Sequence, residues 1–174
     1  MHKIMFILLL CFCCSCTETK DFKEGDIIFQ ISKSKQSPLV QYATGSIWSH
    51  CGIIVEKNKK FYVLEASNIV KLTPIDTWIS RGKGSIYRTK RIYNKDIKIS
   101  YSKYLGIPYD LSFKFNNGKY YCSELVYEIY KNQFGVEIAK PHKLSHYNTL
   151  GIKDKMKARG MSLNQYAIAP CDLL

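Results

Sequence analysis

The alternation of apolar and polar positions after residue 24 predicts strands first and helices later. Gly25-Asp26-Ile27-Ile28-Phe29-Gln30 is a turn running into a short apolar stretch, as a buried strand requires. Ser37-Pro38 opens a short helix, because Pro is tolerated where the N–H has no intrahelical partner; Leu39, Val40 and Ala43 are its inward candidates, and Thr44-Gly45-Ser46 ends it. Residues 49–56 and 60–66 are β-rich runs around the polar turn Lys57-Asn58-Lys59, the pattern of a hairpin. Residues 73–79 predict a capped helical turn and 84–92 a further strand. Two helices are then expected. The region 96–105 is ambiguous, whereas 122–134 carries Leu125, Val126, Ile129 and Tyr130 at helical spacing and is stopped by Gly135. Gly106-Ile107-Pro108-Tyr109-Asp110 is a break and Asn116-Asn117-Gly118 a loop, which puts Cys122 at the start of the last helix. This order predicts an α+β domain rather than alternating βαβ units.

A chain of 174 residues suits one domain with a single core. The N-terminal segment differs from the rest. His2 and Lys3 precede a nearly uncharged run from Ile4 to Cys16, too short to span a bilayer as a helix. A basic start, an apolar centre and a small residue before a cleavage point describe an export signal. Cleavage after Ser15 leaves Cys16 first, and a small residue before a cysteine resembles a bacterial lipobox, in which the thiol is acylated. Cys13 stands where that pattern prefers Leu, and Ser15 where Ala or Gly is commoner. The expected layout is an export signal over 1–15, a tether over 16–24 and one domain over 25–174, with an exported, membrane-anchored lipoprotein of the periplasm or envelope as the product. A buried N-terminal helix or strand is the alternative.

With Cys11, Cys13 and Cys14 in the leader and Cys16 just after it, only Cys51, Cys122 and Cys171 remain in the body, which is neither a disulfide framework nor a zinc pattern. A Cys51–Cys171 bridge stays open. The formal charge of +12 favours anionic surfaces such as membrane lipid, wall polymer or nucleic acid. No recognition helix, RNA-binding aromatic motif or zinc finger accompanies it, so specific nucleic-acid binding is not expected.

A thiol at a helix N-terminus meets the positive end of the macrodipole and unpaired N–H groups. Both favour thiolate, and the same N–H groups can receive an oxyanion. Cys122 is therefore a candidate nucleophile; a small core residue is the alternative. Activation needs an imidazole within reach and a polar group to orient it. His50, opening a strand, is the candidate base, although a core or surface histidine fits that position too. With the hairpin turn centred on Asn58, position 50 opposes about 66, so a slight offset brings His50 and Glu65 onto one face. A solvent-facing Glu65 is the alternative. Tyr120 and Tyr121 flank Cys122 and are candidates to wall a pocket or donate to an oxyanion; Asp110 and Ser123 are polar neighbours without a role.

GDIIFQ (25–30), VQYATGSIWSHCGIIV (40–55), FYVLEA (61–66), VKLTPIDTWISRG (70–82), GIPYDLSF (106–113) and YYCSELVYEIY (120–130) together resemble the YiiX-like group, a branch of the permuted NlpC/P60 superfamily of papain-like cysteine hydrolases. The resemblance covers essentially the whole chain after the leader. It implies a circularly permuted papain-like fold, a small antiparallel barrel-like sheet packed against helices, with the histidine strand ahead of the cysteine helix. It implies Cys122 as nucleophile, His50 as base and Glu65 as the orienting residue, acyl transfer through a thioester, and no metal or other cofactor. The expected activity is that of an amidase or peptidase on cell-envelope or peptidoglycan-derived peptides. The alternatives are an acyl-lipid hydrolase or acyltransferase, and a non-catalytic lipid-binding protein on the same fold.

Overall fold

The computed structural model describes residues 21–174; the expected leader and Cys16 lie outside them. Strands β1 (Ile27–Gln30), β2 (His50–Lys57), β3 (Lys60–Ala66), β4 (Val70–Pro74) and β5 (Tyr87–Lys90) form one antiparallel sheet in the order β4-β3-β2-β1-β5. Helix α1 (Ser37–Thr44) leads from β1 towards β2, α2 (Ile75–Arg81) follows β4, and α3 (Cys122–Phe134) is the long helix. The C-terminal region adds β6 (His142–Lys143), α4 (Lys153–Lys157) and β7 (Tyr166–Ala167), with β6 and β7 paired.

Both faces of the sheet are covered, so its strands read as continuous apolar runs. Phe29, Cys51, Ile53, Val55, Leu64 and Ala66 meet Leu125, Val126 and Ile129 of α3. The alternate residues Ile28, Ile54 and Val63 meet Ile75, Trp78 and Ile79 of α2. Period-two alternation thus sorts neighbouring residues of each strand into two cores.

Lys57 pairs with Lys60, so the hairpin loop is the two residues Asn58 and Lys59, both at positive φ (52° and 58°). A two-residue turn of this kind matches the twist of the strands. It is one residue shorter than the expected turn, and it shifts the register so that Ile53 faces Leu64. The chain also packs before residue 25: Phe22 sits against Phe61 and Tyr87, and Glu24 accepts the Ile99 N–H at 2.8 Å.

Two expectations change. β4 was not foreseen; it is an edge strand with Lys71 and Pro74 in it, residues that suit an edge and blur the apolar signal. Residues 96–105 form no α-helix, only a 3₁₀ turn at Ser102–Tyr104. Side chains replace the helical backbone bonds there. Gln133 Oε1 accepts the Ser100 N–H at 2.8 Å and its Nε2 donates to the Ser100 carbonyl at 2.7 Å.

Candidate active site

Cys122 is the first residue of α3. Tyr121 before it is extended (φ −96°, ψ 168°), and Gly135 ends the helix in the left-handed region with its N–H bonded to the Lys131 carbonyl at 3.0 Å. The helix points its N-terminus at the start of β2. There the Cys122 thiol, only 4% exposed, lies close enough to the His50 imidazole for each to shift the other's pKa. His50 Nε2 lies 2.7 Å from Glu65 Oε2. Cys122, His50 and Glu65 therefore form one continuous chain of contacts.

Glu65 is fully buried and held from several sides. Thr73 Oγ1 donates to Oε1 at 2.6 Å, while Trp78 Nε1 and Arg81 Nη2 donate to Oε2 at 3.1 and 2.5 Å. The Trp78 ring stacks on His50 at 5.9 Å between centroids. Thr73, Trp78 and Arg81 were not singled out from sequence. The available signal was the pair Trp78 and Arg81, three apart and so on one helix face.

The electrostatics favour a separated proton. Burial alone would hold the His50 pKa down, but its hydrogen bonds to Cys122 and Glu65 outweigh this and raise it to about 9. A hydrogen bond from Cys51 is the largest influence on Cys122; with His50 it holds the thiol well below the ordinary range against the opposing effect of burial. Glu65 stays well below the usual carboxylate range despite its burial, because of His50 first and then Arg81 and Thr73. These directions favour thiolate and imidazolium in the resting pair, with an ionised Glu65 behind them. Cys51 is pushed well above the ordinary thiol range by burial and by Cys122, so it remains a neutral donor. Cys51, Cys122 and Cys171 are all free thiols.

Cys122 and His50 open onto a cavity of about 460 Å³. Tyr109 lines it, placed there because its N–H bonds the Asn68 carbonyl at 3.0 Å and the Asp110 N–H bonds the Tyr120 carbonyl at 3.0 Å. Burial, then the neighbouring Cys122 charge, raises the Tyr109 pKa well above the ordinary value, so the phenol keeps its proton. Tyr120 and Tyr121 do not line the cavity. Tyr120 packs on Tyr104, and the buried Tyr121 hydroxyl accepts the Ile168 N–H at 3.1 Å. Asp110 and Ser123 are structural. Asp110 accepts the N–H groups of Ser112 and Lys114 at 2.8 and 2.6 Å, and Ser123 Oγ donates to the Ile168 carbonyl at 2.6 Å.

Residues 21–173 match the family described as permuted papain-like amidase enzymes, YaeF/YiiX, C92 family. The chain belongs to this family. It is 36% identical over 158 residues to the uncharacterized protein YiiX of Escherichia coli (strain K12), a match that covers 84% of this chain and 78% of that protein. It is similar also to the crystal structure of metalloprotein YiiX from Escherichia coli O157:H7, with a TM-score of 0.79 at 36% identity over 87% of this chain and 91% of that one. Membership of the permuted papain-like amidases accounts for the order of the site, with the histidine strand ahead of the cysteine helix. It makes the α+β fold a permuted papain-like one and the chain a member of a cysteine hydrolase family. Among the described residues, no three His, Cys, Asp or Glu side chains are grouped to hold a metal ion.

Proposed function

We propose that this protein is an exported cysteine amidase in which Cys122 is the nucleophile, His50 the acid–base group and Glu65 the residue that orients and stabilises the imidazolium. The observation that carries this reading is the contact chain from Cys122 through His50 to Glu65, set at the α3 N-terminus and open to a cavity. The Cys122 thiolate attacks the amide carbonyl carbon, a C–S bond forms, and the carbonyl electrons move to oxygen. N–H groups of the first turn of α3 and the protonated Tyr109 phenol are the donors available to that oxyanion. On collapse the C–N bond breaks and His50 gives its proton to the departing amine, leaving a thioester. Water, deprotonated by His50, then releases the acid and restores the thiol pair. Among the described residues no donor cluster answers to the metalloprotein description of that relative, and the steps above use only this chain's own side chains.

Envelope peptides remain one substrate class, supported by the export signal and the basic surface. The cavity favours a second, acyl amides or acyl lipids, since Leu39, Val40, Leu144, Ile152, Met156 and Met161 line it. The leader pattern supports anchoring through acylated Cys16, which would hold the site beside a membrane.

The test is a mass-spectrometric substrate panel of muropeptides, N-acyl amides and acyl esters, run on the full chain and on Cys122→Ala. The expected result is cleavage of one amide class by the wild type and none by the variant. Turnover retained in Cys122→Ala, or none by either protein, contradicts the assignment.

A further inference from the structure

The +12 charge of the chain is not spread evenly. Between Asp26 and Glu56 there is no acidic residue, and over residues 138–171 Asp154 is the one acid against Lys140, Lys143, Lys153, Lys155, Lys157 and Arg159. The fold brings these two segments together. Leu39 and Ala43 of α1 pack with Ile152 and Met156, and the Asn148 N–H donates to the Ala43 carbonyl at 2.8 Å. Lys33 and Lys35 before α1, and Lys153, Lys155 and Lys157 of α4, are all exposed. Among the described residues, none of these five lysines forms an ion pair.

Beside these lysines the surface is apolar. Helix α1 carries no charged residue, and its Tyr42 is 46% exposed. Ile47, just past the helix, is 55% exposed, and Leu150, just before α4, is 75% exposed. Short turns tie both to α1. Gln41 Nε2 donates to the Ile47 carbonyl at 2.8 Å. The Leu150 N–H donates at 3.2 Å to Oδ1 of Asn148, the residue whose own N–H is bonded to Ala43. Single exposed apolar side chains are ordinary; three gathered at one end of a helix, beside unpaired lysines, mark a surface that a partner covers.

We propose that this face docks on an anionic phospholipid bilayer, with Tyr42, Ile47 and Leu150 entering the headgroup region and the five lysines lying against the lipid phosphates. A wall polymer or nucleic acid would answer the lysines but leave the apolar side chains in water. An uncharged apolar partner would leave the lysines unmatched. An anionic bilayer answers both, because amphipathic surfaces bind it through apolar burial together with attraction to the lipid charge. Tyr also suits the interface, where its ring is buried and its hydroxyl stays wet. The inference goes beyond the amidase reading and does not depend on what Cys122 cleaves. An acylated Cys16 on its tether would hold the domain near a membrane in any orientation, and this face selects one.

The experiment is amide hydrogen exchange of the full chain, alone and with phosphatidylglycerol vesicles, phosphatidylcholine vesicles or dextran sulfate. Protection is read segment by segment, so attachment through residues 1–24 is not counted. The expected result is slower exchange at 45–48 and 149–151 with the phosphatidylglycerol vesicles and with neither of the others. Ile47→Ser combined with Leu150→Ser is expected to abolish that protection; both side chains are exposed, so the fold should stand. Each of Lys153→Gln, Lys155→Gln and Lys157→Gln should raise the lipid concentration for half-maximal protection about fivefold. Protection by phosphatidylcholine or dextran sulfate equal to that by phosphatidylglycerol, protection by none of them, or protection that survives the double substitution overturns the proposal. The first two outcomes need the wild type alone, so they decide the matter even if the double variant fails to fold.

Discussion

The Glu65 carboxylate reaches His50 along a diagonal of the β2–β3 ladder, at 2.7 Å from its Nε2. The pairing of Ile53 with Leu64, extended by one step, sets Gly52 directly opposite Glu65. His50 and Gly52 share a face, so the imidazole and the carboxylate lie on the same side of the sheet. Gly52 has no side chain to stand between strand and carboxylate. A Cβ there would come within 2.5 Å of Val63 Cγ1 and 2.7 Å of the Leu64 carbonyl oxygen.

Gly52→Ala is therefore expected to destabilise the fold by about 1–3 kcal/mol, since the backbone oxygen cannot yield as a flexible side chain would. Urea unfolding measures it. A neutral result would mean that β2 and β3 separate more easily than this packing allows.

Glu65→Gln keeps the size of the side chain but removes the charge that faces His50, Arg81 and Trp78. The expected effect is a fall in kcat of about 100- to 10,000-fold, the range for losing the residue behind a catalytic histidine. KM should change little if Glu65 touches no substrate. Steady-state kinetics on any cleaved amide separates the two parameters, and an unchanged kcat would remove Glu65 from the mechanism.

The pH dependence has a definite sign on each side. Activity needs the His50 proton for the leaving amine, so it should fall as pH rises through about 9. It needs the Cys122 thiolate, whose pKa is lowered, so the acid limb should lie well below that of an ordinary thiol. Stability follows the same groups. The raised His50 pKa contributes stability that is complete below its unfolded value of about 6.5 and is lost as pH rises through about 9. The lowered Glu65 pKa contributes stability present above its unfolded value and lost as pH falls through the folded one. Thermal unfolding across pH, with His50→Gln as reference, reads the alkaline loss.

Local signals in the sequence sufficed for the hairpin, for α3 and for the position of Cys122 at its start, because each rests on neighbouring residues. The partners of Glu65 did not, because Thr73, Trp78 and Arg81 converge on it only once β4 and α2 fold back over the sheet. The extended path near Ser100 was equally illegible, being held by Gln133 of α3 and, at Ile99, by Glu24. The cavity wall from Leu144 to Met161 carries few apolar residues, spread over short turns and the single-turn helix α4, too short a run to give a clear period. Cys51 looked like a disulfide candidate, and only the fold puts its thiol beside Cys122.

Glu124, in the first turn of α3, is 1% exposed, and burial raises its pKa to about 8, assisted by Asp110 and Glu128 and opposed by the Tyr121 N–H. The buried carboxyl is neutral at neutral pH, whereas the unfolded chain ionises it. Its contribution to stability is complete below the unfolded pKa and is lost as pH rises through about 8. Glu124→Gln should match the wild type in Tm at pH 4 to 5 (approximate values set by the unfolded carboxylate) and exceed it in alkaline solution. A Tm difference independent of pH would mean that Glu124 is ionised in the fold.

Alkylation of Cys122 by iodoacetamide, followed by peptide mapping in the full chain from acid to alkaline pH, reads the thiolate–imidazolium pair itself. The rate at Cys122 is expected to have reached its plateau by neutral pH in the wild type. In His50→Ala, the rate at neutral pH should fall and the titration move towards that of an ordinary thiol, near about 8.5. A wild-type Cys122 that titrates like an ordinary thiol, or one whose reactivity is untouched by loss of His50, would contradict the assignment of Cys122 and His50 as a catalytic pair.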